Sequence, residues 1–364
     1  HPLKKRALDW LVQDVEHRVP KAAKMASLGQ KVQNKLLGVV PSVWKKRMQS
    51  PIFAGSGPKM GYTNLYESLR LHRGSVFAPR EVTPGMPCVL YFPGCGGSLF
   101  YDRIGLAAIM LLLHTGHAVA VPPRHLCCGY PLLAAGMDTE YEDNMAQNRQ
   151  YLASMLRNLI KQGFDVRYLA TACGSCRDSL ARMKLNEQFP QLEQKDVSQI
   201  VLPLLQHEGM EAPVAPGTNV LYHAACHCEW AGVPTLKGQA QLTGALEQLC
   251  KVKVSTIPGC CGESGMGAVT SPTIYNLLRA RKKERLAQAF EPQPQTGACY
   301  AGPILVGCPS CKIGIARCLI QLKEKHPVLH VLEWLANQVD GEDRRQRFRR
   351  RANETRGDVR IVQC

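Results

Sequence analysis

Ten of the sixteen cysteines in this 364-residue chain fall into two sets of five with one arrangement. In the first, Cys95 is followed by Cys127-Cys128-Gly129 and then by Cys173-Gly174-Ser175-Cys176. In the second, at nearly equal intervals, Cys226 is followed by Cys260-Cys261-Gly262 and then by Cys308-Pro309-Ser310-Cys311. Thiolates are soft ligands, and a cubane [4Fe-4S] cluster takes four of them. A fifth can bridge two irons or leave the cluster open to a substrate. Zinc is the rival: four of the thiolates make an adequate tetrahedral site, but one cysteine in each set is then left over. Adjacent cysteines point apart along an extended backbone, so both members of a Cys-Cys pair reach one site only if the chain turns there, as the following glycine allows.

The residues around the cysteines repeat as well. Val89-Leu90-Tyr91 before Cys95 returns as Val220-Leu221-Tyr222 before Cys226, an offset of 131. Val119-x-Val121 before Cys127 returns as Val252-x-Val254 before Cys260, at 133, and the C-x-S-C groups lie 135 apart. Ile200-Val201-Leu202 returns as His330-Val331-Leu332. Landmarks in one order mean an internal duplication.

β-branched runs at Val89–Tyr91, Val119–Val121, Tyr168–Thr171, Val220–Tyr222, Val252–Thr256 and Ile304–Val306 each stop just before a cysteine group. Between them the apolar periodicity predicts helices over 99–114, 141–160 and 178–186, then 239–249, 274–289 and 313–324. The alternation predicts an α/β fold: two tandem duplicated β-α-β units with parallel sheets, helices on both faces and cysteine clusters at the strand carboxyl ends, where such sheets place ligands. The boundaries read as a helical segment and linker over 1–85, a first unit over 86–215, a second over 216–340 and a basic tail over 341–364. Apolar residues at 3 to 4 spacing predict helices over 3–17 and 21–37, and Pro41, Pro51, Pro58 and their neighbouring glycines a linker. Arg344 to Arg351 is a charge run with little to bury, which predicts a mobile tail.

Composition excludes several classes. At 45% hydrophobic the chain has ample material for globular cores, so disorder and disulfide-stapled miniproteins are out. The longest strongly apolar run, Ile104–Leu113, covers about half of a bilayer span. The sequence starts at His1 with no signal segment, so it reads as a fragment or processed piece in a reducing cytoplasm, where clustered cysteines more often bind metal or do redox chemistry than form bridges. A net charge of +16 suits an acidic partner or an anionic membrane surface, and nucleic acid is not expected. Lys4-Lys5-Arg6, Lys45-Lys46-Arg47 and the arginine tail are the basic clusters for peripheral contact with a membrane's inner face.

The two five-cysteine sets resemble the CCG family, the cysteine-rich domain of the heterodisulfide reductase B subunit. The same domain occurs in duplicate in iron-sulfur subunits of glycolate oxidase, anaerobic glycerol-3-phosphate dehydrogenase and lactate-utilisation oxidoreductases, and at the C-terminus of FAD-linked 2-hydroxy-acid dehydrogenases. The resemblance covers about residues 86 to 340, with a gap from C-C-G to C-x-x-C longer than the family's commonest spacing. It implies that Cys95, Cys127, Cys128, Cys173 and Cys176, and Cys226, Cys260, Cys261, Cys308 and Cys311, each hold a [4Fe-4S] cluster, which in this family can be noncubane. It further implies an electron-transfer role between a flavoprotein that oxidises a small 2-hydroxy acid and a quinone or similar acceptor. A thiol-disulfide reductase at an open cluster and a zinc-binding scaffold are the alternatives. The family's ferredoxin-like cluster domain would lie upstream, since residues 1–85 contain no cysteine. No G-x-G-x-x-G or P-loop pattern is present, so FAD would sit on a partner or a missing segment.

Single residues read more plainly. His125, His223 and His227 flank cluster cysteines and can ligate iron or relay protons, but hydrogen bonding near strand ends is the simpler reading. Cys228 competes with Cys226, which the V-L-Y-x-x-x-C match favours. Cys88, Cys250, Cys299, Cys318 and Cys364 match nothing across the units and read as packing or surface thiols. The loop from Gly262 to Gly267 reads as letting backbone amides approach cluster sulfurs. Arg279, Arg281, Lys282, Lys283 and Arg285 read as a solvated helix face.

Overall fold

The computed structural model describes residues 2–22, 25, 28, 64–207, 218–227, 230–263, 272–292 and 299–362. Among these residues the strands form two sheets. The first runs in the order β10-β1-β3-β2-β4-β5 and the second β7-β6-β8-β9. Their ranges are β1 Val76–Ala78, β2 Pro87–Phe92, β3 Ala118–Ala120, β4 Asp165–Thr171, β5 Glu193–Asp196, β6 Asn219–His223, β7 Lys253–Ile257, β8 Ile304–Val306, β9 Val328–His330 and β10 Val359–Ile361.

All the pairings of the second sheet are parallel, and so are those joining β3, β2, β4 and β5 in the first. Each unit thus lays its strands in the order second, first, third, fourth. The register repeats with the sequence: Leu90 pairs with Leu169, and Leu221, the counterpart of Leu90 in the second unit, pairs with Ile304. Burial on both faces explains why these strands read as continuous apolar runs rather than alternating ones; Cys88 through Phe92 and Ile304 through Val306 are all buried.

The six expected strands all form. Each unit also has a fourth, β5 or β9, that passes straight into a helix, Val197–His207 or Val331–Asp340. Asp196, not the Ile200 that the sequence match suggested, is the counterpart of His330: Asp196 pairs with Thr171 and His330 with Val306, and at these junctions their side chains accept from the backbone N–H of Ser198 (2.8 Å) and Leu332 (3.2 Å). The six expected helices also form, as Asp102–His114, Asp138–Lys161, Gly174–Arg182, Thr235–Cys250, Pro272–Phe290 and Pro309–Leu322. The third helix of each unit begins earlier than the periodicity suggested, because the C-x-S-C group forms its first turn.

The carboxyl end of the described chain differs from expectation, while the amino end follows it as far as it is described. The helix Pro2–Gln13 forms, and Leu8 and Val15 are buried, Val15 in a small cluster with Leu99 and Cys127. Most of the second expected N-terminal helix and the linker lie outside the described residues. The arginine run is not a mobile tail: Glu342–Glu354 is helical, and β10 pairs in parallel with β1 at the edge of the first sheet. Phe348, Ala352 and Val362 are the apolar residues it buries. Arg360 is fully buried over the Phe77 ring, and its guanidinium donates to the carbonyls of Leu69 (2.6 Å), Ala352 (3.0 Å), Arg70 (3.3 Å) and Gly74. A composition rich in arginine hid one that serves as a structural pin.

Candidate metal centre

Each cysteine group sits where a strand ends. Cys95 follows β2, Cys173 follows β4, Cys226 follows β6, Cys260 follows β7 and Cys308 follows β8 closely, while Cys127 follows β3 after a longer loop. The C-x-S-C groups share one geometry. Cys173 and Cys308 are the extended N-cap residues of their helices, at φ −159°, ψ 120° and φ −141°, ψ 134°. Cys176 and Cys311 then lie in the first turn, where the positive end of the helix dipole favours thiolate charge.

The C-C-G turns are equally alike. Gly129 and Gly262 adopt φ +76° and +74°, a left-handed conformation that glycine takes at no steric cost. Each glycine N–H turns back on the first cysteine of its pair, at 3.5 Å from Cys127 Sγ and 3.3 Å from Cys260 Sγ. The turn lets both thiols of the pair face one site, as the sequence required.

All ten predicted thiols come together, and they do so as one array. Side-chain contacts join Cys95 to Cys127, Cys127 to Cys128, Cys128 to Cys176 and Cys176 to Cys173 in the first unit. Cys308 to Cys311, Cys311 to Cys261, Cys261 to Cys260 and Cys260 to Cys226 mirror them in the second. Cys173 Sγ and Cys308 Sγ, 3.6 Å apart, link the two sets. All ten are free thiols.

So dense a group cannot ionise together without a cation. Three thiols are pushed down, each by two neighbouring thiols that donate to it: Cys128 by Cys127 and Cys176, Cys260 by Cys226 and Cys261, Cys308 by Cys173 and Cys311. Those donors are pushed up in turn, Cys127 to about 12 by its bond to Cys128. Metal ions would supply the positive charge that lets the remaining thiols deprotonate. The donor set therefore fits iron-sulfur centres: five thiols per unit, mostly buried, with a backbone N–H already aimed at one sulfur of each.

The two sets differ in cover. Cys127, Cys128, Cys173 and Cys176 are buried and Cys95 half-buried, with Val12, Val15 and Val19 packed in the cluster that holds Cys95 and Cys127. In the second set Cys226 is exposed and Cys260 half-buried, while Cys261, Cys308 and Cys311 are buried.

The histidines separate by role. His125 is buried, which pulls its pKa down to about 3, and its Nδ1 lies 2.9 Å from Ser98 Oγ. His227 makes an ion pair with Asp178 and lies 3.0 Å from Tyr130 Oη, tying the second unit to the first. His223 goes beyond the hydrogen-bonding reading: one of its ring nitrogens and the Sγ atoms of Cys261 and Cys311 all lie within 4.8 Å of one another.

The basic helix is also corrected. Lys282 is 1% exposed and donates to His223 Nδ1 at 2.9 Å, and Arg279 and Arg317 pair with buried Glu263 at 3.3 and 2.8 Å. Arg281 and Arg285 are exposed as expected. A run in which nearly every residue is charged gives no warning that one lysine points inward. Cys88, Cys250 and Cys318 are buried packing thiols and Cys299 is exposed; Cys228, Cys364 and the loop from Ser264 to Gly267 lie outside the described residues.

Curated proteins are similar to this chain over most of their own length. Lactate utilization protein A of Exiguobacterium sp. is 24% identical over 270 residues, spanning 69% of this chain and 97% of the relative. The proteins of that name from Geobacillus thermodenitrificans and Macrococcus caseolyticus are 25% identical over 214 residues and 22% over 268, spanning 55% and 69% of this chain and 82% and 97% of their own lengths. The family described as the cysteine-rich domain CCG matches twice, over residues 89–181 and 220–316, more than half of the chain and both five-cysteine sets. With its duplicated sheets and paired C-C-G turns, this chain belongs to the CCG cysteine-rich domain family.

Proposed function

We propose that the chain is the iron-sulfur electron-transfer module of an oxidoreductase in lactate or related 2-hydroxy-acid oxidation, holding one [4Fe-4S] centre on each five-cysteine set. The observation that carries this reading is the continuous array of ten free thiols at the ends of two equivalent sheets, joined at Cys173 and Cys308. Such centres accept and release single electrons. The chain's own residues hold the sulfurs in place, aim Gly129 and Gly262 amides at them, and exclude water from the first site with the N-terminal helix. Reducing equivalents would come from a flavoprotein domain or subunit carrying FAD, directly or through a ferredoxin-like cluster domain, and leave to a quinone or similar acceptor. The relatives' name supports lactate as the pathway's substrate. Basic residues exposed on the Glu342–Glu354 helix, among them Arg347, Arg349 and Arg350, suit peripheral contact with anionic lipid; no described helix is long and apolar enough to cross a membrane.

A second reading rests on Cys226, whose exposure leaves the second site approachable by a disulfide substrate. Iron and acid-labile sulfide analysis after anaerobic purification tests the first. Two four-iron centres predict about eight irons and as many sulfides per chain. About one zinc per unit without labile sulfide would overturn it. Reduction of an added disulfide by the pre-reduced chain would favour the second reading over simple electron transfer.

A further inference from the structure

The two units are duplicates, yet one position beside the cysteines has diverged from a hydrocarbon ring to a hydrogen-bonding one. The last residue of β2 is Phe92, and its counterpart at the end of β6 is His223; both are fully buried. The partner has changed too. Asn148, on the helix after the first C-C-G, donates to the carbonyl of Cys127 at 2.7 Å. Lys282, on the equivalent helix of the second unit, reaches the same region there. Its ammonium meets three acceptors: His223 Nδ1 at 2.9 Å, the Ile257 carbonyl at 3.2 Å and the Pro258 carbonyl at 2.8 Å.

That count decides the tautomer. An ammonium has three protons and no lone pair, so with all three placed, His223 Nδ1 must be the acceptor and Nε2 must carry the ring proton. Nε2 is buried and has no hydrogen-bond partner among the described residues. A nitrogen of the ring and the Sγ atoms of Cys261 and Cys311 all lie within 4.8 Å of one another. A cation-backed imidazole thus stands beside the second thiolate set, where the first set has the Phe92 ring.

We propose that Lys282 and His223 are positioning residues that direct an N–H donor at the second centre and set its reduction potential above that of the first. This rests on the iron-sulfur reading above. The reason is electrostatic: a donor to a ligand sulfur stabilises the extra negative charge of the reduced state, and hydrogen bonds to sulfur are among the main levers on these potentials. Phe92 supplies no such donor. The pair would therefore make the second unit, the one with an exposed cysteine, the electron's resting place next to the acceptor.

The test is an EPR-monitored redox titration of the anaerobically purified chain, with iron and sulfide counted in each sample. His223→Phe copies the first unit, Lys282→Met removes the cation, and His223→Gln restores an amide donor. The expected result is wild-type iron in all of them, a downward shift of one midpoint potential in His223→Phe, a smaller one in Lys282→Met, partial recovery in His223→Gln, and no movement of the other centre. Full iron with unmoved potentials in His223→Phe would overturn the proposal while leaving the iron-sulfur reading intact. Loss of half the iron in His223→Phe, with Lys282→Met unchanged in iron and potential, would overturn it in favour of direct ligation by the imidazole. Equal shifts of both potentials would overturn the assignment to the second unit. A wild-type chain without iron and labile sulfide would overturn both readings together.

Discussion

Cys173 Sγ lies 3.6 Å from Cys308 Sγ, and each of these residues is the N-cap of the helix that its own C-x-S-C group begins. The equivalent residues of the two units thus meet face to face, and the duplication produces one composite site rather than two remote ones. Centres held on these thiols would be close enough for their unpaired spins to interact. Fully reduced protein should therefore give a split or broadened EPR spectrum, and Cys226→Ser with Cys260→Ser, which weakens the second set, should return a simple single-centre signal. Two independent signals at all levels of reduction would contradict the shared site.

The C-C-G glycines offer a symmetric pair of tests. A Cβ at Gly129 would lie 2.7 Å from Asn144 Nδ2 and 3.0 Å from the Tyr141 ring, and one at Gly262 would lie 3.1 Å from the Tyr275 carbonyl oxygen. The positive φ adds about 1–3 kcal/mol of strain for any other residue. Gly129→Ala and Gly262→Ala should each lose about half of the bound iron, read by metal analysis, with the double variant losing nearly all.

Arg360 should be among the least replaceable residues outside the cysteines. Its guanidinium satisfies carbonyls of Leu69, Arg70, Gly74 and Ala352. Arg360→Met keeps the apolar stem but removes those bonds, and should cost about 2–4 kcal/mol, seen as a lower urea midpoint. A chain ending after Val339 removes the whole segment, uncovers Phe77, and should express poorly. An unchanged midpoint in Arg360→Met would mean that the tail is not anchored there.

Asp196 should make stability fall as pH rises. It is 2% exposed, and burial raises its carboxyl from 3.8 to about 7 despite the Ser198 hydrogen bonds that oppose the shift. A raised carboxyl pKa means that the folded state binds more protons than the unfolded one between about pH 4 and 7, so its contribution is greatest at low pH and is lost as pH rises through that window. Asp196→Asn, which can still cap Ser198, should be more stable than wild type at pH 8 by a few kcal/mol, with the advantage shrinking towards pH 4. Parallel urea titrations at pH 5 and 8 provide the comparison.

The strands, the duplication and all ten thiols could be read from the sequence because each depends on local pattern. β-branched runs buried on both faces stay apolar residue by residue, and a glycine after Cys128 or Cys261 marks a turn whatever surrounds it. Whether the two five-cysteine sets would be separate or joined was decided only in three dimensions, by two helix N-termini brought together across the units. The same holds for Lys282 and Arg360. Each sits in a basic segment whose neighbours are solvated, and a charged side chain is buried only when several acceptors from distant segments converge on it: His223, Ile257 and Pro258 for one, Leu69, Gly74 and Ala352 for the other. No periodicity along the chain records that convergence, since most of the partners are far away in sequence and become neighbours only when the sheets assemble.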